Sequence, residues 1–287
     1  MPESYLPALE QNMFEFYTRW GCAPGRERYE SADFIRFNTG IPDPIFNGIF
    51  RARLAPEAVD SVIAENLAYF KSRQVPCLWF TDPLTRPSGL GTHLERHGFT
   101  LDEEDPGMVV DLLSVNEALP APDGLTIRVV QDRGSLKTRG SLVAEANGAS
   151  RQIQDRLSVL EADLGLDQHR LRYLGYRNGL PVATSALIIH AGVAGVYAVS
   201  TLPAARRQGV GAAMTLAPLL EARKLGLRLG TLQASKMGYP LYRHEPTLVL
   251  RRPFPGGLQS EHVFMGEQTF LGRPPGYCIT CLPVRYR

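Results

Sequence analysis

Residues 195–214 read Gly195-Val-Tyr-Ala-Val-Ser-Thr-Leu-Pro-Ala-Ala-Arg-Arg-Gln-Gly-Val-Gly-Ala-Ala-Met214, and three kinds of local structure follow one another in them. A β-branched, apolar run ends at Pro203. A short basic loop follows, from Arg206 to Gly211. A helix-forming segment then passes through Ala217 and Leu220 towards Lys224. Strand, basic glycine loop and helix is an arrangement that binds phosphate through the backbone. The first turn of a helix has N–H groups without intrahelical partners, and the helix dipole there favours an anion. Glycines at 209 and 211 let those N–H groups approach a ligand without Cβ interference.

The loop Arg206-x-x-Gly209-x-Gly211 resembles the Gln/Arg-x-x-Gly-x-Gly/Ala motif of the GCN5-related N-acetyltransferases. A second block, Leu232-Gln-Ala-Ser-Lys-Met-Gly-Tyr-Pro-Leu-Tyr242-Arg-His244, is similar to the next strand and helix of that family and stands at the expected distance. The resemblance implies tandem mixed β-sheets flanked by helices in an α/β fold. It also implies acetyl-coenzyme A as co-substrate, with no metal. The pyrophosphate would lie on the loop residues Arg206, Arg207, Gln208, Gly209, Val210, Gly211 and Ala212. The pantetheine amides would pair with the strand backbone at Val199 and Thr201. Ser235 would either touch the cofactor or cap the following helix. Tyr242 is the expected acid: a phenol titrates near 10 and a thiol near 8.5, so the phenol is protonated at neutral pH and can pass a proton to the departing sulfur.

The chain has 287 residues, 44% of them apolar, which is enough for two domains with their own cores. Its formal net charge is +2, and nothing in that balance calls for nucleic acid or an anionic membrane as partner. The first residues, Met1 to Gln11, lack the basic-then-apolar pattern of a signal peptide, and no apolar run approaches bilayer length. Cys22 and Cys77 read as reduced thiols. Cys278-x-x-Cys281 is one pair without a second, so a metal site is not expected. These features favour the cytoplasm. The resemblance implies a small-molecule or peptide amine as acceptor, and a monomer or homodimer is expected.

Along the chain, residues 119–124 cluster proline and glycine and read as a linker between a first domain, 1–118, and a second, 125–244. In the second, Leu125–Val130 is the first strand, Ser135–Ala146 and Ser150–Asp163 are helices, and Leu171–Tyr176 and Pro181–Ile189 form a hairpin about Asn178-Gly179. The first domain resembles a worn copy of the same pattern. Its helix over Ala55–Arg73 places Val59, Ile63, Leu67 and Phe70 on one face. Its helix Leu90–His97 closes in Gly98-Phe99, and Leu94 stands where the resemblance would place a tyrosine. The segment Ile49–Leu54 has no glycine pair. This half is therefore expected to bind no cofactor.

No general base is legible. A primary amine with a pKa near 10.4 is about one part in a thousand neutral at pH 7, so a base or proton wire would help. The strand before the loop offers Tyr197 and Ser200 and no carboxylate; His190, Glu145, Glu161 and Asp163 are the nearby titratable groups. The resemblance stops at Glu245-Pro246-Thr247, where Pro246 would end the helix. The Pro/Gly/Arg-rich residues 245–287 predict that the closing strands of the second sheet are atypical or missing. They are read either as the product of a shifted frame or as an extension. The alternative to an enzyme is a non-catalytic acyl-coenzyme A-binding or interaction module of the same fold.

Overall fold

The computed structural model describes residues 5–115, 117, 122–244 and 277–281. The first half contributes α1 (Leu6–Thr18), β1 (Glu27–Glu30), β2 (Ile35–Asn38), β3 (Asn47–Phe50), α2 (Val59–Ser72), β4 (Leu78–Phe80), α3 (Leu90–Arg96), β5 (Phe99–Glu104) and β6 (Gly107–Asp111). The second contributes β7 (Leu125–Val129), α4 (Arg133–Ala146), α5 (Arg151–Leu164), β8 (Arg170–Arg177), β9 (Leu180–His190), β10 (Val193–Thr201), α6 (Val210–Lys224), β11 (Leu229–Gln233) and α7 (Tyr239–His244). A last strand, β12 (Tyr277–Cys281), follows. The helix starts are built as their sequences dictate. Asp132 accepts the N–H of Ser135 ahead of α4, and Ser150 accepts that of Ile153 ahead of α5.

The strands form two six-stranded sheets, ordered β1-β2-β3-β4-β12-β5 and β6-β11-β10-β9-β8-β7. The halves exchange strands. β6, read from sequence as the end of the first domain, pairs antiparallel with β11 of the second sheet, from Leu229 opposite Asp111 to Gln233 opposite Gly107. β12 crosses the other way and lies between β4 and β5, with Ile279 opposite both Trp79 and Leu101. The expected atypical closure of the second sheet thus has a specific form: its outer strand comes from the first half. Residues 277–281 of the tail form a strand, but in the first sheet and not in the second. The readings made on the linker residues 119–121, on Pro246 and on the rest of the tail lie outside the described residues. Among the described residues, no helix is long and apolar enough to cross a membrane.

Three apolar clusters hold the two sheets and their helices together. Val210, Met214, Leu219 and Ala222 of α6 pack on Ala183, Leu187, Val196 and Leu232. Val59, Ile63 and Phe70 of α2 pack on Ile49 and Trp79, with Leu90 and Leu94 of α3 alongside. Between the halves, Phe14, Phe16, Phe37 and Phe50 meet Leu157, Leu160, Ile188 and Tyr197. α1 is the joint. Its Asn12 is fully buried and donates through Nδ2 to the carbonyls of Ile188 (3.0 Å), His190 (3.2 Å) and Val193 (3.0 Å). Its Oδ1 accepts the Tyr197 hydroxyl at 2.9 Å. On the opposite side of α1, Glu10 meets Arg53 and Asp82, and burial followed by the Asp82 charge pushes its carboxyl up to about 8.

Candidate cofactor and catalytic site

Strand β10 decides the shape of the site. It pairs in parallel with β11 only at Ala194 opposite Gly230 and Gly195 opposite Thr231. Beyond Gly195 the two strands part. On its other side β10 keeps antiparallel pairing with β9, but the register shifts between Tyr197 and Ser200, around Ala198 at φ 49°. This bulge turns the strand away from β11. The edge carrying Val199 and Thr201 is thereby left open on the β11 side, and both residues are half-buried. An extended amide chain could lie in that notch and pair with the backbone groups on that edge, of which the Thr201 carbonyl already accepts from Arg206.

The strand leads through Pro203–Ala205 into the basic loop. Gly209 precedes α6 in the left-handed region, at φ 75°, and caps the helix without a side chain. The N–H groups of Val210, Gly211 and Ala212 form the first turn, where the helix itself offers no acceptor. A Cβ at Gly211 would meet nothing nearer than Leu241, at 3.6 Å. Packing within the chain therefore does not require glycine there, which fits a position kept bare for a ligand. Val210 and Ala212 are buried against the core, so their backbone rather than their side chains is available.

The charged side chains of the loop divide their roles. Arg206 was expected to add charge for an anion. Its guanidinium instead binds two carbonyls, with Nε donating to Thr201 (3.0 Å) and Nη2 to Ala146 (2.5 Å). It ties the ends of α4 and β10 to the loop. Arg207 is exposed, at φ 58°. Gln208 is also exposed; it donates to Ala204 O at 3.0 Å and accepts from Arg177.

Tyr242 projects from α7 into the core beside α6 and is 6% exposed. Its hydroxyl lies 3.5 Å from Thr215 Oγ1. Burial pushes the phenol above its ordinary value, against a smaller opposing effect of the Thr215 contact. Thr215 in turn donates to Gly211 O at 2.9 Å. Sequence reasoning missed Thr215, although its place one helical turn after Gly211 was a usable signal. Ser235 accepts the N–H of Gly238 at 3.2 Å and its carbonyl accepts that of Tyr239, so of its two predicted roles the structure shows the turn-capping one.

The titratable candidates for a base lie apart. Glu161 is 3% exposed and sits between Arg139 (2.9 Å) and Arg172 (3.1 Å). Against the cost of burial these arginines hold its carboxyl down at about 2, so it takes no proton near neutral pH. Asp163 pairs with Arg133 at 2.7 Å. His190 is exposed at the far end of the hairpin, opposite Val193, roughly 25 Å of strand from the loop. Glu145 is exposed near the end of α4.

Among the described residues, the first half offers no comparable cradle. β3 and β4 pair in parallel at Gly48 opposite Leu78 and Ile49 opposite Trp79. The next residues, Phe50 and Phe80, stack at 4.0 Å across the point where that pairing stops. Tyr17 of α1 packs on both, at 5.3 and 5.1 Å. A short 3-10 turn, Pro56–Ala58, leads into α2 without a glycine, and Leu94 is fully buried.

No protein-family model and no curated protein matches this chain. Solved structures do. A GCN5-related N-acetyltransferase from Kribbella flavida matches at 18% identity over 94% of this chain and 93% of its own, with a TM-score of 0.60. One from Sphaerobacter thermophilus matches at 16% identity, over 82% of this chain and 71% of its own, with a TM-score of 0.54. A tandem GNAT protein from the clavulanic acid biosynthesis pathway matches at 10% identity, over 90% and 82%, with a TM-score of 0.53. The chain has the tandem fold of the GCN5-related N-acetyltransferases.

Proposed function

We propose that this chain, built on the tandem acetyltransferase fold, moves an acetyl group from acetyl-coenzyme A to an amine, with one site in its second half. The observation that carries the reading is the continuity of one backbone track. The open edge of β10 runs from the Ala198 bulge into a helix start capped by Gly209, with Tyr242 behind it. The residues fit the cofactor without an added metal. Val199 and Thr201 would take the pantetheine amides, and the first turn at Val210, Gly211 and Ala212 would take the pyrophosphate, with Arg207 and Gln208 at its rim. When bound, acetyl-coenzyme A supplies an activated thioester. The chain would hold its carbonyl towards the amine and away from bulk water. Tyr242, protonated because burial raises it, would turn its hydroxyl from Thr215 to the sulfur and donate as the thiol departs.

A second reading, a non-catalytic acyl-coenzyme A binder, is favoured by one observation: the buried acid nearest the acceptor-side helices, Glu161, is held ionised by arginines and cannot act as base. Titration calorimetry with acetyl-coenzyme A, followed by a free-thiol assay across amines, separates the two. Binding with thiol release supports transfer. Binding without release from any amine supports the second reading, and no binding refutes both.

A further inference from the structure

Behind the candidate site, α4, α5 and the inner face of β8 meet over four charged side chains. Arg139 of α4, Glu161 of α5 and Arg172 of β8 are each 2–3% exposed, and Arg170 is 5% exposed. The helices come this close because Gly140 has no side chain: a Cβ there would lie 2.6 Å from the Leu157 carbonyl oxygen. Arg139 Nη1 and Arg172 Nε both reach the same oxygen, Glu161 Oε2, at 2.9 and 3.1 Å. Two guanidinium groups therefore converge on one point.

The cluster is unbalanced in charge and in hydrogen bonds. Three buried arginines share one buried carboxylate, Glu161, and the partly exposed Glu15 and Asp167 are the further counter-charges. Arg170 donates only to neutral carbonyls, those of Glu15 (3.4 Å) and Phe16 (3.1 Å). Arg172 Nη1 likewise binds the carbonyls of Gly165 and Arg170. The other carboxylates that act on these arginines, Glu15 and Asp167, are about 30% exposed and lie near Arg19, at 4.0 and 3.9 Å. Arg139 Nε, Arg139 Nη2 and Arg172 Nη2 are buried and have no protein acceptor. Burial, and then repulsion from Arg172, pull Arg170 down to about 10. Buried charge without a counter-charge is strongly destabilising, and a buried donor without an acceptor adds to the cost. Water would answer the donors alone, whereas a small anion answers both demands.

We propose that Arg139 and Arg172, with Arg170 beside them, bind one small monovalent anion of the halide class at the junction of α4, α5 and β8. The anion would pin the two helices to the sheet. A cavity of about 410 Å³, lined by Arg170 and Arg172 together with Asp167, opens beside the cluster on its β8 side.

Two measurements on the full chain test this. Crystals grown in or soaked with sodium bromide should show an anomalous peak within hydrogen-bonding reach of Arg139 Nη2 and Arg172 Nη2. In solution, chloride raised a hundredfold from its Kd, with gluconate keeping the ionic strength constant, should raise the Tm by about 5 °C. Arg139→Gln should remove that increment. Density at the point that carries no anomalous signal, or bromide found only on the surface, overturns the proposal, as does a wild-type Tm indifferent to chloride. If Arg139→Gln does not fold, the wild-type crystal and titration decide alone.

Discussion

Removing one oxygen at Tyr242 tests the chemical reading most directly, because the structure separates its effect on stability from its effect on turnover. Tyr242→Phe keeps the ring that packs against α6. The hydroxyl it deletes has one hydrogen-bond partner among the described residues, Thr215 at 3.5 Å, which is the long limit of a hydrogen bond. Thr215 is not orphaned by the loss, since its own proton goes to Gly211 O. The expected stability change is therefore small, about 0–1 kcal/mol. Turnover should fall by roughly ten- to a thousandfold, or about 1.4–4 kcal/mol of barrier, with the Kd for acetyl-coenzyme A unchanged. The pH profile adds a second readout. Burial holds the phenol above its ordinary value, so loss of its proton should not depress wild-type turnover below about pH 10, and the variant should be reduced by a similar factor between pH 7 and 9. Stopped release of free thiol, measured on protein whose Tm and cofactor affinity have been checked, gives both quantities. Full turnover in a folded variant that binds the cofactor normally would refute the assignment.

Three further outcomes are expected. Gly211→Asp should abolish acetyl-coenzyme A binding while leaving the Tm nearly unchanged, because the nearest neighbour of the new Cβ is at an ordinary 3.6 Å and the carboxylate would oppose the pyrophosphate; unchanged affinity by calorimetry removes the loop from the site. The same titration on the wild type should give one cofactor per chain, since Phe50, Phe80 and Tyr17 stack where the first half would need an opening, and a stoichiometry of two contradicts this. Glu10 keeps its proton up to about 8 when folded, against 4.5 as its ordinary value; the unfolded chain releases that proton first, so Glu10 lowers stability progressively as pH rises from about 4.5 to 8. Melting curves of Glu10→Gln should therefore rise relative to wild type across that window and run parallel above it, and parallel curves throughout would show that the carboxyl titrates normally.

The parts of the molecule legible in its sequence are those fixed by neighbours along the chain. The Gly209 cap, α6, α7 and the hairpin about Asn178-Gly179 follow from local turn and cap chemistry, and the structure places them within a few residues of the expected limits. Partners across the sheet were not legible. The apolar run Met108–Leu113 reads as a strand but does not say which sheet receives it, and nothing local distinguishes β6 as the edge of β11. α1 was passed over because its most deeply buried face carries Asn12, a residue whose fit depends on three carbonyls more than 170 positions away. The burial of Arg170 and Arg172, at alternate positions of β8, depends on Glu161 and on the carbonyls of α1, which no local pattern shows. Arg206 was assigned by its charge, while its role is set by where the Ala146 and Thr201 carbonyls end up.

The exchange of β6 and β12 sets an order of events for a chain emerging from the ribosome. When residue 233 has been made, β11 can pair at once with β6, which was synthesised more than a hundred residues earlier. The sheet bearing the glycine loop can then be completed before β12 is made. The first sheet is in the opposite position. β4 and β5 reach each other only through β12, so the facing edges at Trp79 and Leu101 stay unpaired until residues 277–281 arrive. Such edges invite pairing with other chains. A nascent chain stalled before residue 277 would carry a paired second sheet beside an open, aggregation-prone first one, and a late strand would close the sheet that was started early.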